Sequence, residues 1–262
     1  MTTQNYYKKR KKREAFKLDE SLLVELIRRE RRQQPRLGVR KLYKVLSPEL
    51  LELGIKVGRD RLFRLLRKRA LLVPPLPRAP RTTQSRHCLP VFTNLIAGRE
   101  PTSPNQVWVS DITYVRTETG FVYLALIMDR YSRKIVGYHC GDTLEAIGCV
   151  RALDSALSEL PEDCRPIHHS DRGSQYCCHA YVERLSSRGL SVSMTERNHC
   201  YENAHAERVH GILKQEYGLG MTFKNPEHAR HAVDQAVWLY NHRRPHSSLK
   251  LQIPAEVHRQ AA

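Results

Sequence analysis

The sequence contains no apolar run near the roughly 20 residues that a membrane-spanning helix requires. The basic run at residues 8–13 (KKRKKR) is not followed by an apolar segment, so it does not have the pattern of a secretory signal. These two absences argue against the membrane and secreted classes. No glycine-rich phosphate-binding loop is present, so a nucleotide-driven reaction is not predicted.

Disulfide and zinc frameworks are also missing. The seven cysteines are an odd number, and the sequence has no Cys-x-x-Cys pair. Stabilising disulfide sets use paired cysteines, and structural zinc needs four suitably spaced ligands. The cysteine pattern therefore favours a reducing cytoplasm.

What the sequence has in excess is positive charge, and that charge is unevenly placed. The chain holds 44 Lys and Arg against 27 Asp and Glu, a formal net charge of +17 over 262 residues. Residues 1–100 hold 26 basic against 9 acidic residues, whereas residues 101–262 hold 18 of each. This division predicts a module that binds a polyanion, most simply nucleic acid, followed by a neutral domain with a different task.

The basic half divides into a tail, a helical domain and a linker. Residues 1–17 form the basic tail, and apolar residues at helical spacing predict a helical domain over 18–73. Its last helix is predicted to be capped by Asp60 and to turn its basic side chains outward. Helix, glycine-containing turn and basic helix is the outline of a helix-turn-helix DNA reader, although an ordinary helical hairpin fits the same pattern. The predicted DNA-contacting residues of this helix are Arg61, Arg64, Arg67 and Lys68. Seven prolines over 74–104 predict a stiff, extended linker.

From residue 105 the pattern becomes mixed α/β. Three consecutive strand-like segments are followed by helix, strand, helix, strand and helix. This order predicts a ribonuclease-H-like α/β core over 105–220, with catalytic groups near strand ends. A helical extension is predicted over 221–262.

Three acidic residues of this core stand out by their setting. Asp111 interrupts an apolar strand, Asp171 ends a short strand, and Glu207 lies on a helix face shared with His210 and Lys214. Carboxylates can hold two divalent metals that activate a hydroxyl and stabilise a leaving oxygen in phosphodiester chemistry. Oxygen ligands without thiolates favour Mg²⁺ or Mn²⁺. Spacing alone leaves open that these are ordinary salt-bridging acids.

The motifs around these acids resemble a known family. The blocks WVSDITY, HSDRGSQY and ENAHAERVHGILKQE are similar to the signature blocks of DDE transposases of the IS-three insertion-sequence family, whose catalytic core is like that of retroviral integrases. Thirty-five residues separate Asp171 and Glu207, as in that family, and Lys214 matches its basic position. The closing YNHRRPHSSLKLQIPAEVH and the helix-turn-helix segment extend the resemblance to about residues 36–258.

The resemblance implies a bacterial, cytoplasmic and nucleoid-associated enzyme that nicks DNA and transfers strands. It implies Asp111, Asp171 and Glu207 as catalytic residues and as ligands of two Mg²⁺ or Mn²⁺ ions. Its partners would be double-stranded DNA, as element terminal repeats and target, and at least one further copy of the chain. Fusion to an upstream-frame DNA-binding protein is a further implication.

Several alternatives stay open. Glu202 is a second candidate for the third acid, although only Glu207 lies at the 35-residue interval. Asp129 is predicted to pair with Arg130 or Arg133 rather than to bind metal. Core packing is predicted for Trp108, His168 and His169, and DNA phosphate contact for Lys214, Arg243, Arg244 and His246. The rival functions are a DNA-binding regulator with an inactive core and a ribonuclease-H-like hydrolase.

Overall fold

The computed structural model describes residues 20–74, 89–196 and 204–260. The chain divides into two compact units, Met1–Leu76 and Pro77–Ala262. Within the described ranges, no helix is both long and apolar enough to cross a bilayer. The basic tail lies outside the described residues.

The first unit is a small helical domain, as the sequence predicts. Helix α1 covers residues 20–33, α2 covers Val39–Glu52 and α3 covers Arg59–Lys68. Leucine and isoleucine side chains spaced at three and four residues line the inner faces of the helices and pack together. The predicted cap of α3 is wrong. Gly58 is the N-cap, while Asp60 lies in the first turn and pairs with Arg59.

The second unit is a mixed sheet with helices. The strands are β1 (Val107–Thr117), β2 (Gly120–Asp129), β3 (Ile135–Gly141), β4 (Ile167–Ser170), β5 (Ser191–Met194) and β6 (Thr222–Phe223). The helices are α4 (Ala146–Ser158), α5 (Ser174–Cys177), α6 (His179–Ser187), α7 (Ala204–Glu216), α8 (Pro226–His242) and α9 (Pro254–Gln260). Strand order is β3-β2-β1-β4-β5, and β6 pairs with the end of β1. The predicted meander is confirmed, because β1, β2 and β3 pair antiparallel in sequence order, whereas β4 and β5 run parallel to β1.

Two apolar clusters cover the two faces of the sheet. One joins β1 and β2 to α7 and α8, and the other joins the opposite face to α4, α5 and α6. Successive side chains of a strand point to opposite faces of the sheet, so the same strands contribute residues to both clusters. Helix α4 lies especially close to β3 at Gly137, where an added Cβ would lie 2.3 Å from the carbonyl oxygen of Ala152.

Residues 89–104, the second half of the predicted linker, pack as part of the second unit. Ile96 is buried in the core, and the Leu95 amide donates to Ser193 Oγ on β5. The carbonyl of Arg99 accepts from Arg130. These contacts tie the segment to the sheet, so an extended linker does not describe it.

Candidate active site

Strand β1, which carries Asp111, and strand β4, which Asp171 follows, are joined by a buried polar contact. Ser110 directly precedes Asp111, and its Oγ lies 2.9 Å from Nε2 of His168 on β4. The hydroxyl of Tyr181 lies 2.9 Å from the same nitrogen. Burial lowers the pKa of His168 to about 3, so its ring is neutral. This contact fixes β1 against β4 and thereby sets the positions of Asp111 and Asp171.

Asp111 is a carboxylate in an unfavourable setting. Its side chain keeps 21% of its exposure, and Oδ1 accepts from the Ile112 amide at 2.9 Å. Burial, followed by the negative charges of Asp171 and, more weakly, Glu207, raises the pKa of Asp111 to about 8. The structure therefore brings all three predicted acids close enough to interact electrostatically.

Asp171 is held by the turn that follows β4. Its Oδ1 accepts from the Gly173 amide at 2.9 Å. A Cβ at position 173 would lie 3.0 Å from that oxygen and 3.1 Å from Gln175 Oε1. Glycine thus allows the turn to close on the carboxylate before α5 begins.

Helix α7 supplies the third acid, a histidine and a lysine. Glu207 is exposed in its first turn, whereas His210 is buried with Nε2 3.8 Å from Asp111 Oδ2. Burial lowers the pKa of His210 to about 3. Lys214 lies with Nζ 4.3 Å from the centre of the Tyr114 ring, and burial lowers its pKa while Asp111 opposes that shift. The helix spacing predicted this shared face.

A groove of about 920 Å³ opens over the ends of β1 and β4. Asp111 and Asp171 both line it, together with Gly173, Ser174 and Gln175. The rest of its lining comes mainly from β1 and β2, namely Ile112, Thr113, Tyr114, Arg116, Phe121 and Tyr123, with Leu144 and Tyr176. The sequence interpretation missed the aromatic part of this lining.

The acids do not form a closed set of metal ligands. Across the described residues, no group of three or more His, Cys, Asp or Glu side chains is close enough to hold an ion. The donor chemistry nevertheless suits a hard cation, because Asp111 and Asp171 line one groove, Glu207 acts electrostatically on Asp111, and the Asp111 carboxylate is partly desolvated. Glu202, the alternative third acid, lies outside the described residues.

Comparison with known proteins assigns the family. The integrase core domain model matches residues 101–200, and a second integrase core domain model matches residues 188–254. The chain is 40% identical to the insertion element IS600 31 kDa protein of Shigella sonnei, covering 90% of this chain and 86% of that protein. It is 35% identical to the transposase of insertion sequence element IS629 of Shigella sonnei, covering 84% and 72%. The chain belongs to the insertion-sequence transposases.

Two further comparisons agree with this assignment. The transposase is 37% identical to the InsF transposase of insertion sequence IS3A of Escherichia coli, covering 62% of this chain and 57% of that protein, so the IS-three resemblance is confirmed. The simian T-cell lymphotropic virus intasome matches with a TM-score of 0.52 and 17% identity, covering 84% and 74%. That likeness confirms the ribonuclease-H-like integrase fold. The protein is an enzyme, a DDE-type polynucleotidyl transferase.

The residues predicted to contact DNA near the C-terminus differ in their settings. Arg244 is buried and holds Glu216 through two contacts, Nε to Oε2 at 2.7 Å and Nη2 to Oε1 at 2.9 Å. It therefore lies in the core rather than on a DNA-facing surface. Arg243 and His246 are half-buried, and His246 Nδ1 lies 2.8 Å from Ser248 Oγ.

Most side chains of helix α3 that are predicted to contact DNA project outward from the helical domain. Arg64, Arg67 and Lys68 are exposed, while Leu62 beneath them is fully buried. Arg61 is half-buried and donates to the Lys56 carbonyl at 3.2 Å. The outer face of α3 is thus a compact group of cations.

Asp129 has different partners from those predicted. It is fully buried, and Oδ1 accepts from both the amide and the hydroxyl of Ser132 at 2.7 Å. Its Oδ2 accepts from the Asn105 amide at 2.8 Å, whereas Arg130 pairs with Glu100. The arginine pairing was wrong because the β2–β3 turn folds back and supplies its own donors. The core packing predicted for Trp108, His168 and His169 is confirmed, since each is at most 1% exposed.

Proposed function

We propose that this transposase nicks DNA at the ends of its element and joins the freed 3′-hydroxyl to another phosphodiester, with Asp111, Asp171 and Glu207 as its catalytic residues. The observation that carries the proposal is the grouping of Asp111 and Asp171 in one groove, with Asp171 and Glu207 both raising the pKa of Asp111. One phosphodiester is exchanged for another, so no external energy source is needed. Joining of one purified duplex end to a second duplex is the direct test.

The same three carboxylates are proposed to hold two divalent ions, Mg²⁺ or Mn²⁺. Bound metals would supply an activated hydroxyl and stabilise the leaving oxygen. The chain's own part is to present ligands in a partly dry site, where the repulsion around Asp111 would be offset by positive charge. The neutral ring of His210 packs beside Asp111 and limits where its carboxylate can turn.

We propose that DNA is contacted by basic side chains in both units of the chain. The outer face of α3, with Arg61 at its margin, would read the element-end duplex through the major groove. Lys214, beside Asp111, would hold a phosphate next to the reacting one, and Arg243 and His246 would contact the backbone. An inactive-core regulator is less favoured, because it would have no use for two acids that destabilise the charged form of Asp111.

The proposal includes partners and a location. Joining two element ends to a target needs more than one active site, so we propose at least a dimer assembled on DNA. The working form would be either this chain alone or its fusion to an upstream-frame DNA-binding protein. We also propose that it acts with the bacterial nucleoid in the cytoplasm, where its DNA substrates would be.

The raised pKa of Asp111 predicts a stability change with pH. Its folded pKa of about 8 lies above the ordinary aspartate value of 3.8, so its contribution to stability is complete below 3.8 and is lost as pH rises through about 8. Asp111→Asn should therefore melt about 2–4 °C above the wild type in chelator at the alkaline end, the shift that about 1 kcal/mol produces in a domain of this size. The difference should vanish at the acid end.

Added Mg²⁺ should raise the melting temperature of the wild type more than that of Asp111→Asn, because the variant keeps only two of the three proposed ionisable ligands. Differential scanning calorimetry at both pH limits, with chelator or Mg²⁺, makes these comparisons. A temperature difference that is constant with pH, or equal stabilisation of both proteins by Mg²⁺, would contradict the assignment.

A further inference from the structure

The groove has a wall of aromatic and cationic side chains that the proposed chemistry does not use. In the β1–β2 hairpin, Tyr114 pairs directly with Tyr123, and Arg116 pairs with Phe121. Side chains of directly opposed residues project from the same face of a sheet. The register therefore gathers four large side chains on one patch, the aromatic surface, made of Tyr114, Arg116, Phe121 and Tyr123.

Two rings of the aromatic surface lie side by side, and each has a cation beside it. The Tyr114 and Phe121 rings meet edge to face, with centroids 5.3 Å apart and planes at 82°. The Arg116 guanidinium lies 5.4 Å from the Phe121 ring centre, and Lys214 Nζ lies 4.3 Å from that of Tyr114. Two rings are thus flanked by two cations in one row.

This surface is open, although packing would be expected to hide an aromatic ring. Phe121 is 43% exposed, and Arg116 is also exposed. All four residues line the groove that contains Asp111 and Asp171. A strand whose phosphate reached the carboxylates would therefore lie in the same groove as these rings.

We propose that the aromatic surface binds an unpaired base of the DNA strand next to the reacting phosphate, by stacking on Phe121 and Tyr114. This inference rests on the proposed function. Bases in a duplex already stack on their neighbours, so exposed rings favour a nucleotide released from pairing. Aromatic side chains beside a cationic path are the usual means of holding single-stranded nucleic acid. Arg116 and Lys214 lie where they can contact the flanking phosphates.

The test compares two versions of the same element-end DNA, a fully paired duplex and one with a short unpaired overhang carrying 2-aminopurine. Binding is measured with the full chain in chelator, so that no reaction occurs. The wild type should bind the unpaired form roughly ten-fold more tightly, within the range that stacking on an aromatic side chain contributes per base. The 2-aminopurine fluorescence should fall on binding, as stacking requires.

The variants distinguish the contribution of ring stacking to overhang binding from the contributions of apolar side-chain volume and of positive charge. Phe121→Leu keeps an apolar side chain but should lose most of the preference and of the quenching, whereas Phe121→Tyr should keep both. Arg116→Gln should make the salt dependence of overhang binding shallower by about 0.7 in log–log slope, the contribution of one phosphate on a single strand. Trp238→Leu is the matched control, because Trp238 is 55% exposed on α8 and is not part of the groove lining.

The outcomes also distinguish this inference from the proposed function. If the wild type joins DNA ends but shows no preference for the overhang, base stacking on the aromatic surface is contradicted and the proposed joining function still holds. An equal preference in Phe121→Leu and the wild type contradicts base stacking as well. Preference and quenching that depend on Phe121, in a protein that joins no DNA, support the surface and contradict the function.

Discussion

Asp111→Asn, Asp171→Asn and Glu207→Gln are each expected to lower the rate of DNA end joining by at least about a thousand-fold, because catalytic groups that act as a unit fail together. Each replacement keeps the shape of the side chain and removes the charge that would hold a divalent ion. Duplex binding should change little, since these residues would act on the reacting phosphate alone. Joining of a labelled pre-nicked end to a second duplex measures the rate, and gel shifts measure binding.

The controls address the choice of acids. Glu183→Gln removes an exposed carboxylate on α6 in the same unit and should leave joining intact. Glu202→Gln tests the neighbouring acid. Full activity of Glu207→Gln together with loss in Glu202→Gln would reassign the third residue, and joining by all the variants would contradict catalysis by these carboxylates.

The sequence could predict the acids of the site because the pattern that marks each of them lies in the few residues next to it in the chain. Asp111 interrupts an apolar strand, Asp171 directly follows one, and the helical spacing of Glu207, His210 and Lys214 holds in α7. Helix and strand identities followed equally from periodicity. These features depend on residues a few positions apart.

The features that the sequence interpretation missed depend on tertiary contacts. The single helix predicted between the fourth and fifth strands is broken at Cys178, whose ψ of 150° ends α5 and begins α6, and no proline or glycine marks the break. Residues 89–104 read as a linker from their prolines, but Ile96 packs into the core. Arg244 read as a surface cation because its partner Glu216 is distant in sequence.

The aromatic surface falls between these cases. Its members alternate along β1 and β2, but only the hairpin register brings Tyr114 opposite Tyr123 and Arg116 opposite Phe121. The Thr117–Gly120 pair closes that hairpin, so the turn could have fixed the register from the sequence.

Replacing the exposed cations on the outer face of α3 should greatly weaken DNA binding without changing the catalytic groups. The triple variant Arg64→Gln, Arg67→Gln and Lys68→Gln keeps good helix formers and leaves the buried leucines untouched. Affinity for element-end duplex should fall by about a hundred-fold or more near physiological salt, and the log–log salt slope should become shallower by about 2–3, because each neutralised phosphate contributes about 0.9.

A matched triple variant makes this prediction specific. Arg28→Gln, Arg32→Gln and Lys44→Gln removes the same charge from exposed positions on α1 and α2 of the same unit. If α3 enters the groove of the DNA, this control should lose much less affinity, since distant charges act through a screened field. Fluorescence anisotropy across a salt series gives both the affinity and the slope, and circular dichroism confirms that the helices persist. Equal losses in the two triple variants would mean that net charge alone attracts DNA, and that α3 is not the reading helix.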